Sequence, residues 1–341
     1  MIDKVFGTGG IGTGMFFLME GNHTLGHDES RLAFLTDYRD YCKQHIILHY
    51  IAKLTKNIKI FAIGKVGKDE QGEKLIKQMQ NAGILTEYVE ATDQARTMLS
   101  ICFQYPDGSG GNITTSNSAC NQVTPEYIAK CSMQVDRNSV IVAVPEVPLD
   151  SRIRLLRIGR ERGAFNTASI LSGEIEEFEQ KKGYALCDFL AVNIDEAKAI
   201  SKTEGSLESI VTATAGIVER YSPNIKLVIT AGKHGAYTFE NGNLEQIHII
   251  DVPVVSTAGA GDALFAGTIT GLLSGMPFQK GRNDHYFAET SLESAVELGT
   301  IISTFSVMSP DTIAEKVTRE NIIEFIKENH FSMSEVFEYG L

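Results

Sequence analysis

A chain of 341 residues, 43% hydrophobic and 22% charged, can bury the core of a large α/β domain and lacks the composition of a disordered or fibrous protein. Its 31 Lys and Arg against 43 Asp and Glu leave a formal charge of −12 without a basic block. That argues against holding a nucleic-acid backbone, though not against a nucleotide, whose phosphates are gripped by local N–H groups and a metal ion. Five cysteines without a C-x-x-C pair point to reduced thiols and no zinc. No window resembles a signal segment or membrane span, so a soluble, cytoplasmic chain with no nucleic-acid or membrane partner is expected.

Asp3 to Phe6 reads as a strand running into Gly7-Thr8-Gly9-Gly10-Ile11-Gly12-Thr13-Gly14. This run contains G-x-G-x-x-G, so an NAD-dependent oxidoreductase built on Gly7 to Gly12 is a competing reading. Its context is poor. Met15 to Met19 is a short apolar run, Glu20-Gly21-Asn22-His23 breaks any helix, and no second strand leads to Asp28 and Glu29. Tyr41 to Leu54 is a predicted helix with Ile46, Ile47, Tyr50, Ile51 and Leu54 on one face. Ile58 to Ile63 is a strand, GKVGKDEQG follows at 64–72, and the next helix turns Leu75, Ile76 and Met79 inward before Gly83. Thr97 to Tyr105 alternates like a strand up to the turn Pro106-Asp107-Gly108, and a Gly/Ser/Asn-rich loop or hairpin tip reaches Asn121. Thr124-Pro125 opens a helix.

From Val140 strands and helices alternate. Strands are predicted at 140–144, 164–170, 189–192 and 227–230, and helices at 149–162, 196–200 and 206–221. This spacing predicts a mainly parallel sheet covered by helices on both faces, with ligands beyond the carboxyl ends of its strands. Asp251 to Val255 reads as a further strand, delivering the chain to Ala258-Gly259-Ala260-Gly261-Asp262 and an apolar helix that stops at Gly275 and Pro277. Small side chains at a helix N-terminus admit a phosphate to free N–H groups. A carboxylate beside such an anion hole suits a general base acting on an attacking hydroxyl, although a plain strand-to-helix turn reads the same way in isolation. Thr290 and Glu293 read as the capping box of a long helix through Ser309, and Glu320 to Glu328 as a last amphipathic helix.

Four stretches, in this order, resemble the ribokinase-like family of carbohydrate kinases of the phosphofructokinase B type. They are GKVGKDEQG at 64–72, Asn193-Ile194-Asp195-Glu196, TAGKHG at 230–235 and STAGAGDALFAG at 256–267. The resemblance runs from about residue 58 to the end. It implies a three-layer α/β domain over residues 1–341, with a small β-lid from segments at approximately 13–40 and 97–121. It also implies ATP-dependent transfer of the γ-phosphoryl group to a hydroxyl of a sugar or sugar-like molecule. Mg²⁺ and a monovalent cation are the implied ions, and a homodimer through the lid the implied assembly. Asp262 matches the family's base, and Gly259, Ala260 and Gly261 its anion hole. Asn193 and Glu196 match residues that organise magnesium, water and phosphates, with Glu196 reaching the metal through water. Thr230, Gly232 and Gly235 match positions facing the nucleotide. Asn193 with Glu196 also reads as a helix cap, and Gly235 as a plain turn.

The departures lie on the acceptor side. Ser256 stands where the family usually has Asp. Counted back without gaps, the substrate-contacting diglycine falls on Tyr41-Cys42, an asparagine on Ile46 and an acidic residue near Gly12. Loss of hydroxyl-binding groups should change the acceptor rather than merely weaken its binding. Asn22, His23, Glu29 and Arg31 are candidate replacements from the lid side. A pseudokinase or nucleotide-binding regulatory protein is the alternative, opposed by Asp262, since a binder has no need of a base.

Overall fold

Short β-branched and aromatic runs such as SVIVA, FLAVN and KLVIT have no polar face, so they must be covered on both sides. In the computed structural model, which describes residues 2–107, 109–282, 284–287 and 289–341, they are central strands with helices above and below. The chain begins with β1 (Lys4–Thr8), β2 (Gly12–Met19), β3 (Ala33–Leu35), β4 (Asp40–Tyr41), α1 (Lys43–Leu54), β5 (Lys59–Gly67) and α2 (Glu70–Asn81). It continues through β6 (Ile84–Thr92), β7 (Met98–Gln104), β8 (Gly110–Thr114), α3 (Pro125–Cys131), β9 (Ser139–Ala143), α4 (Leu149–Glu161) and β10 (Phe165–Ser169). Then come α5 (Ile175–Gln180), β11 (Phe189–Asn193), α6 (Ile194–Ser201), α7 (Leu207–Tyr221), β12 (Lys226–Thr230), β13 (Ala236–Glu240) and β14 (Asn243–Ile247). The last elements are α8 (Ala260–Leu273), β15 (Asp284–His285), α9 (Ala295–Val307), α10 (Arg319–Glu328) and α11 (Glu335–Gly340).

The main sheet has the order β15-β14-β13-β12-β11-β10-β9-β1-β5-β6 and is parallel from β12 to β6. Alternate side chains serve opposite cores, as a two-residue period requires. Val5, Val140, Val142 and Val228 pack on the α1, α8 and α9 side. Phe6, Ile141, Leu190 and Ile229 pack on the α4 and α7 side. Helix α8 is buried from Ala263 to Gly271 because it lies between α1 and α9, with Phe265 packed on Phe189 of β11. The two helices touch through glycines, and a Cβ on Gly267 would stand 2.7 Å from the Gly299 Cα. A second sheet, ordered β3-β2-β7-β8 with β4 also paired to β2, stands beside the first.

Three expectations change. Asp251 to Val255 is not a strand: no ladder includes it, Pro253 has no N–H to offer one, and Val254 and Val255 are exposed. The capping box of α9 is Ser294 with Glu297, whose Oε2 accepts from the Ser294 N–H at 2.9 Å, and the helix ends at Val307. Thr290 is engaged elsewhere, accepting from Lys280 Nζ at 2.7 Å. The Gly7–Gly12 run feeds strand β2 rather than opening a helix, so it lacks the strand-turn-helix context that holds a pyrophosphate. Gly108, of the expected Pro106-Asp107-Gly108 turn, lies outside the described residues.

Candidate active site

Several parallel strands end at one rim, and the chain segments leaving them build the site. Gly259 caps α8 with φ +79°, and a Cβ there would lie 2.6 Å from the Thr312 carbonyl oxygen, so conformation and space both require glycine. Ser256 Oγ accepts from the Ala258 N–H at 3.2 Å, and the Val255 and Ser256 N–H groups donate to the Val307 carbonyl at the end of α9. The loop is thereby fixed ahead of α8. The N–H groups of Gly261 and Asp262 lie in the first helical turn, at the positive end of the helix.

Asp262, in the first turn of α8, has its side chain 12% exposed. Lys43, the first residue of α1, places Nζ 3.3 and 3.4 Å from the two Asp262 carboxylate oxygens. The Asp262 charge, followed by burial acting the other way and then the charges of Glu146 and Glu196, holds the Lys43 ammonium well above its ordinary pKa. Glu146, in the segment leaving β9, takes the Lys43 N–H on Oε2 at 3.0 Å. Burial pushes its carboxyl up to about 7, against the lowering effect of Lys43. Its φ of +77° is rare for a residue with a side chain and marks a backbone held by its surroundings. Thr312 joins both halves of the site: its Oγ1 accepts from the Tyr41 N–H at 3.0 Å, its N–H donates to the Arg39 carbonyl at 3.1 Å, and its own carbonyl abuts Gly259.

Two cavities meet here. One of about 390 Å³ is lined by Phe16, Asp40, Lys43, Cys102, Glu146, Gly259 and Asp262, among others. The other, about 400 Å³ and more apolar, is lined by Thr230, Gly232, Gly235, Val252, Val254, Ala260, Gly261 and Thr304, among others. Thr257 lines both.

The structure therefore brings Thr230, Gly232, Gly235, Ala260 and Gly261 to one cavity and Gly259 and Asp262 to its neighbour. Asn193 and Glu196 line neither. They form the capping box of α6, with Asn193 Oδ1 accepting from the Glu196 N–H and Glu196 Oε2 from the Asn193 N–H. Glu196 is buried, and its charge still acts on Lys43. Gly12 is packed under Met98 and Cys42 and offers the acceptor cavity nothing. Asn22, His23, Glu29 and Arg31 are not brought to the cavity lining and satisfy one another or the local backbone. Arg31 pairs with Glu29 at 2.6 Å, His23 lies 3.2 Å from Glu29, and Asn22 accepts from the Asp107 N–H at 2.9 Å. Sequence reasoning passed over Asp40, Lys43 and Glu146. Glu146 had a signal, an acidic residue in Pro-Glu-Val-Pro directly after a strand. Lys43 had a fainter one, next in line after Tyr41-Cys42.

The fold and the paired cavities define a class, the α/β small-molecule kinases of ribokinase-like architecture. The chain belongs to the pfkB family of carbohydrate kinases, whose sequence profile matches residues 47–319. It is 24% identical over 285 residues to the deoxyribokinase of Salmonella typhi, spanning 82% of this chain and 85% of that one. Among solved structures, the ribokinase of Giardia lamblia superposes with a TM-score of 0.78 at 15% identity, covering 95% of this chain and 99% of that one. A ribokinase of Cryptococcus neoformans var. grubii serotype A in complex with ADP gives 0.74 at 17% identity, with coverage of 95% and 99%. The chain is thus a phosphotransferase with an alcohol group as acceptor.

Proposed function

We propose that this protein transfers the γ-phosphoryl group of ATP to a hydroxyl of a sugar or sugar-like molecule, with Asp262 as general base. The observation that carries this reading is the junction of the two cavities at Thr257, with Asp262 and Lys43 on the acceptor side of it. The adenine and ribose occupy the apolar cavity beside Thr230, Gly232 and Gly235, and the phosphates reach past Gly259, Ala260 and Gly261. Asp262 takes the proton as the acceptor oxygen bonds to phosphorus, and the bridging P–O bond breaks to release ADP. Lys43 and the N–H groups of the loop offset charge on the transferred group.

No group of three or more His, Cys, Asp or Glu among the described residues could hold a metal. The residues fit a Mg²⁺ that arrives on the nucleotide and keeps most of its water. Asn193 and Glu196 would steady that water shell, Glu196 with the carboxylate oxygen not committed to its helix cap. When bound, the ion neutralises phosphate charge. The second sheet, from segments at about 13–40 and 97–121, serves as a lid over the acceptor.

The test is Asp262→Asn with ATP–Mg²⁺ and a panel of sugars and nucleosides. Turnover should fall about 10²–10⁴-fold, the usual worth of a positioned base, while ADP still raises the melting temperature. Undiminished turnover would remove Asp262 from its role. Stabilisation by NAD⁺ but not by ATP or ADP would overturn the kinase reading, and nucleotide binding with no phosphorylated product from any acceptor would favour a pseudokinase.

A further inference from the structure

The acceptor cavity contains a carboxylate for which a neighbouring residue makes room. Gly14 of β2 is paired with Asp40 of β4, and a Cβ on Gly14 would overlap Asp40 Oδ2. With no side chain at position 14, the Asp40 carboxylate lies across β2 and forms part of the cavity wall. It is held there from two directions. The Cys102 thiol of β7 donates to Oδ2 at 3.3 Å, and Thr13 Oγ1 donates to the Asp40 carbonyl at 3.2 Å. Neither bond uses Oδ1, so the carboxylate retains capacity to accept from a ligand.

The charges around the cavity point the same way. Asp40, Glu146 and Asp262 line it, and Lys43 is the only cation among its described lining residues. That ammonium is already shared with Asp262. Among the described residues no Arg or His lines this cavity, although planar or cationic donors are what a bound carboxylate or phosphate requires. A hydroxyl can donate to a carboxylate, whereas an anion meets it with repulsion and an unmatched desolvation cost.

We infer that Asp40, reaching into the cavity over Gly14, is a specificity residue which together with Glu146 restricts the acceptor to uncharged polyhydroxyl compounds and turns away sugar acids and sugar phosphates. This rests on the kinase reading for the identity of the cavity, and its test therefore includes equilibrium binding as well as turnover. Pentoses, hexoses and nucleosides are compared with aldonic acids and sugar phosphates, by melting-temperature shift in the presence of ADP and by ADP release from ATP–Mg²⁺.

Neutral compounds should stabilise the wild-type protein and anionic ones should not. Asp40→Asn should raise the KM or dissociation constant of the best neutral acceptor by about 10–100-fold, the worth of a hydrogen bond to a charged group. The effect on KM should exceed that on kcat, and the shift caused by ADP alone should persist. Gly14→Ala should give the same acceptor defect with Asp40 still present, because the added methyl displaces its carboxylate. Asp40→Glu should recover part of the affinity if Gly14 is kept. A best acceptor that is a sugar acid or sugar phosphate would overturn the inference, as would acceptor constants in Asp40→Asn equal to those of the wild type. Neutral acceptors that bind, and lose affinity in Asp40→Asn, yet are never phosphorylated, would support the inference and count against the kinase reading alone.

Discussion

Glu146 carries the clearest pH signature in the site. Its folded pKa of about 7 stands above the ordinary carboxyl value of 4.5, chiefly because burial disfavours the charge. Folding therefore favours the protonated form, a contribution present below pH 4.5 and lost as the pH rises through about 7. Glu146→Gln, which is neutral at every pH, should melt higher relative to wild type at pH 8 than at pH 5. Thermal melts at the two values check this, and a mutant whose relative stability is greater at pH 5 would contradict the buried-charge account. The same substitution should weaken the acceptor, since the amide replaces an oxygen that also receives the Lys43 N–H. Lys43 and Asp262 form the other local pair, in which the Asp262 charge holds the Lys43 ammonium above its ordinary pKa.

Helices α8 and α9 show what their close approach demands. A Cβ on Gly299 would lie 2.5 Å from the Leu264 carbonyl and 2.5 Å from Thr268 Oγ1. Gly299→Ala should destabilise the fold by about 1–3 kcal/mol, the usual cost of overpacking. Denaturant unfolding reads this loss, and a change within error would mean that the helices separate freely. How much of such elements could be read in advance depended on whether their cause was local. The strands at 189–193 and 226–230 and helix α7 were legible because each carries its own pattern of branched and apolar residues. Strand β2 was not, since it is defined by parallel pairing with β7, more than eighty residues away. The site divides in the same way. Residues 256–262 and 230–235 form contiguous motifs, and their gathering at the two cavities could be anticipated. Asp40, Lys43 and Glu146 meet only because the sheet order brings distant segments to one rim, and Lys43 and Asp262 are 219 residues apart. The polarity of Asn22, His23, Glu29 and Arg31 is spent on a local cluster, which their sequence could not reveal.

At the scale of the molecule, no helix among the described residues is long and apolar enough to cross a membrane. The second sheet nevertheless exposes an apolar row across β2, β7 and β8: Met15, Ile101 and Ile113 are paired side by side and are 37%, 38% and 68% exposed. Patches of this kind mark association surfaces, and a homodimer through this sheet is the assembly proposed for it. Sedimentation should report a dimer at micromolar concentration and a monomer for Ile113→Lys, and a monomeric wild type would refute the assignment. Thr312 has a thermodynamic consequence for the whole molecule. Because this one residue is bonded to Tyr41 at the end of β4 and pressed against Gly259, a ligand that settles the wall of one cavity also settles the loop at the other. On the proposed kinase reading, reciprocity then requires that whatever factor the nucleotide contributes to acceptor affinity, the acceptor returns to the nucleotide. The two substrates would thus be coupled across a single threonine.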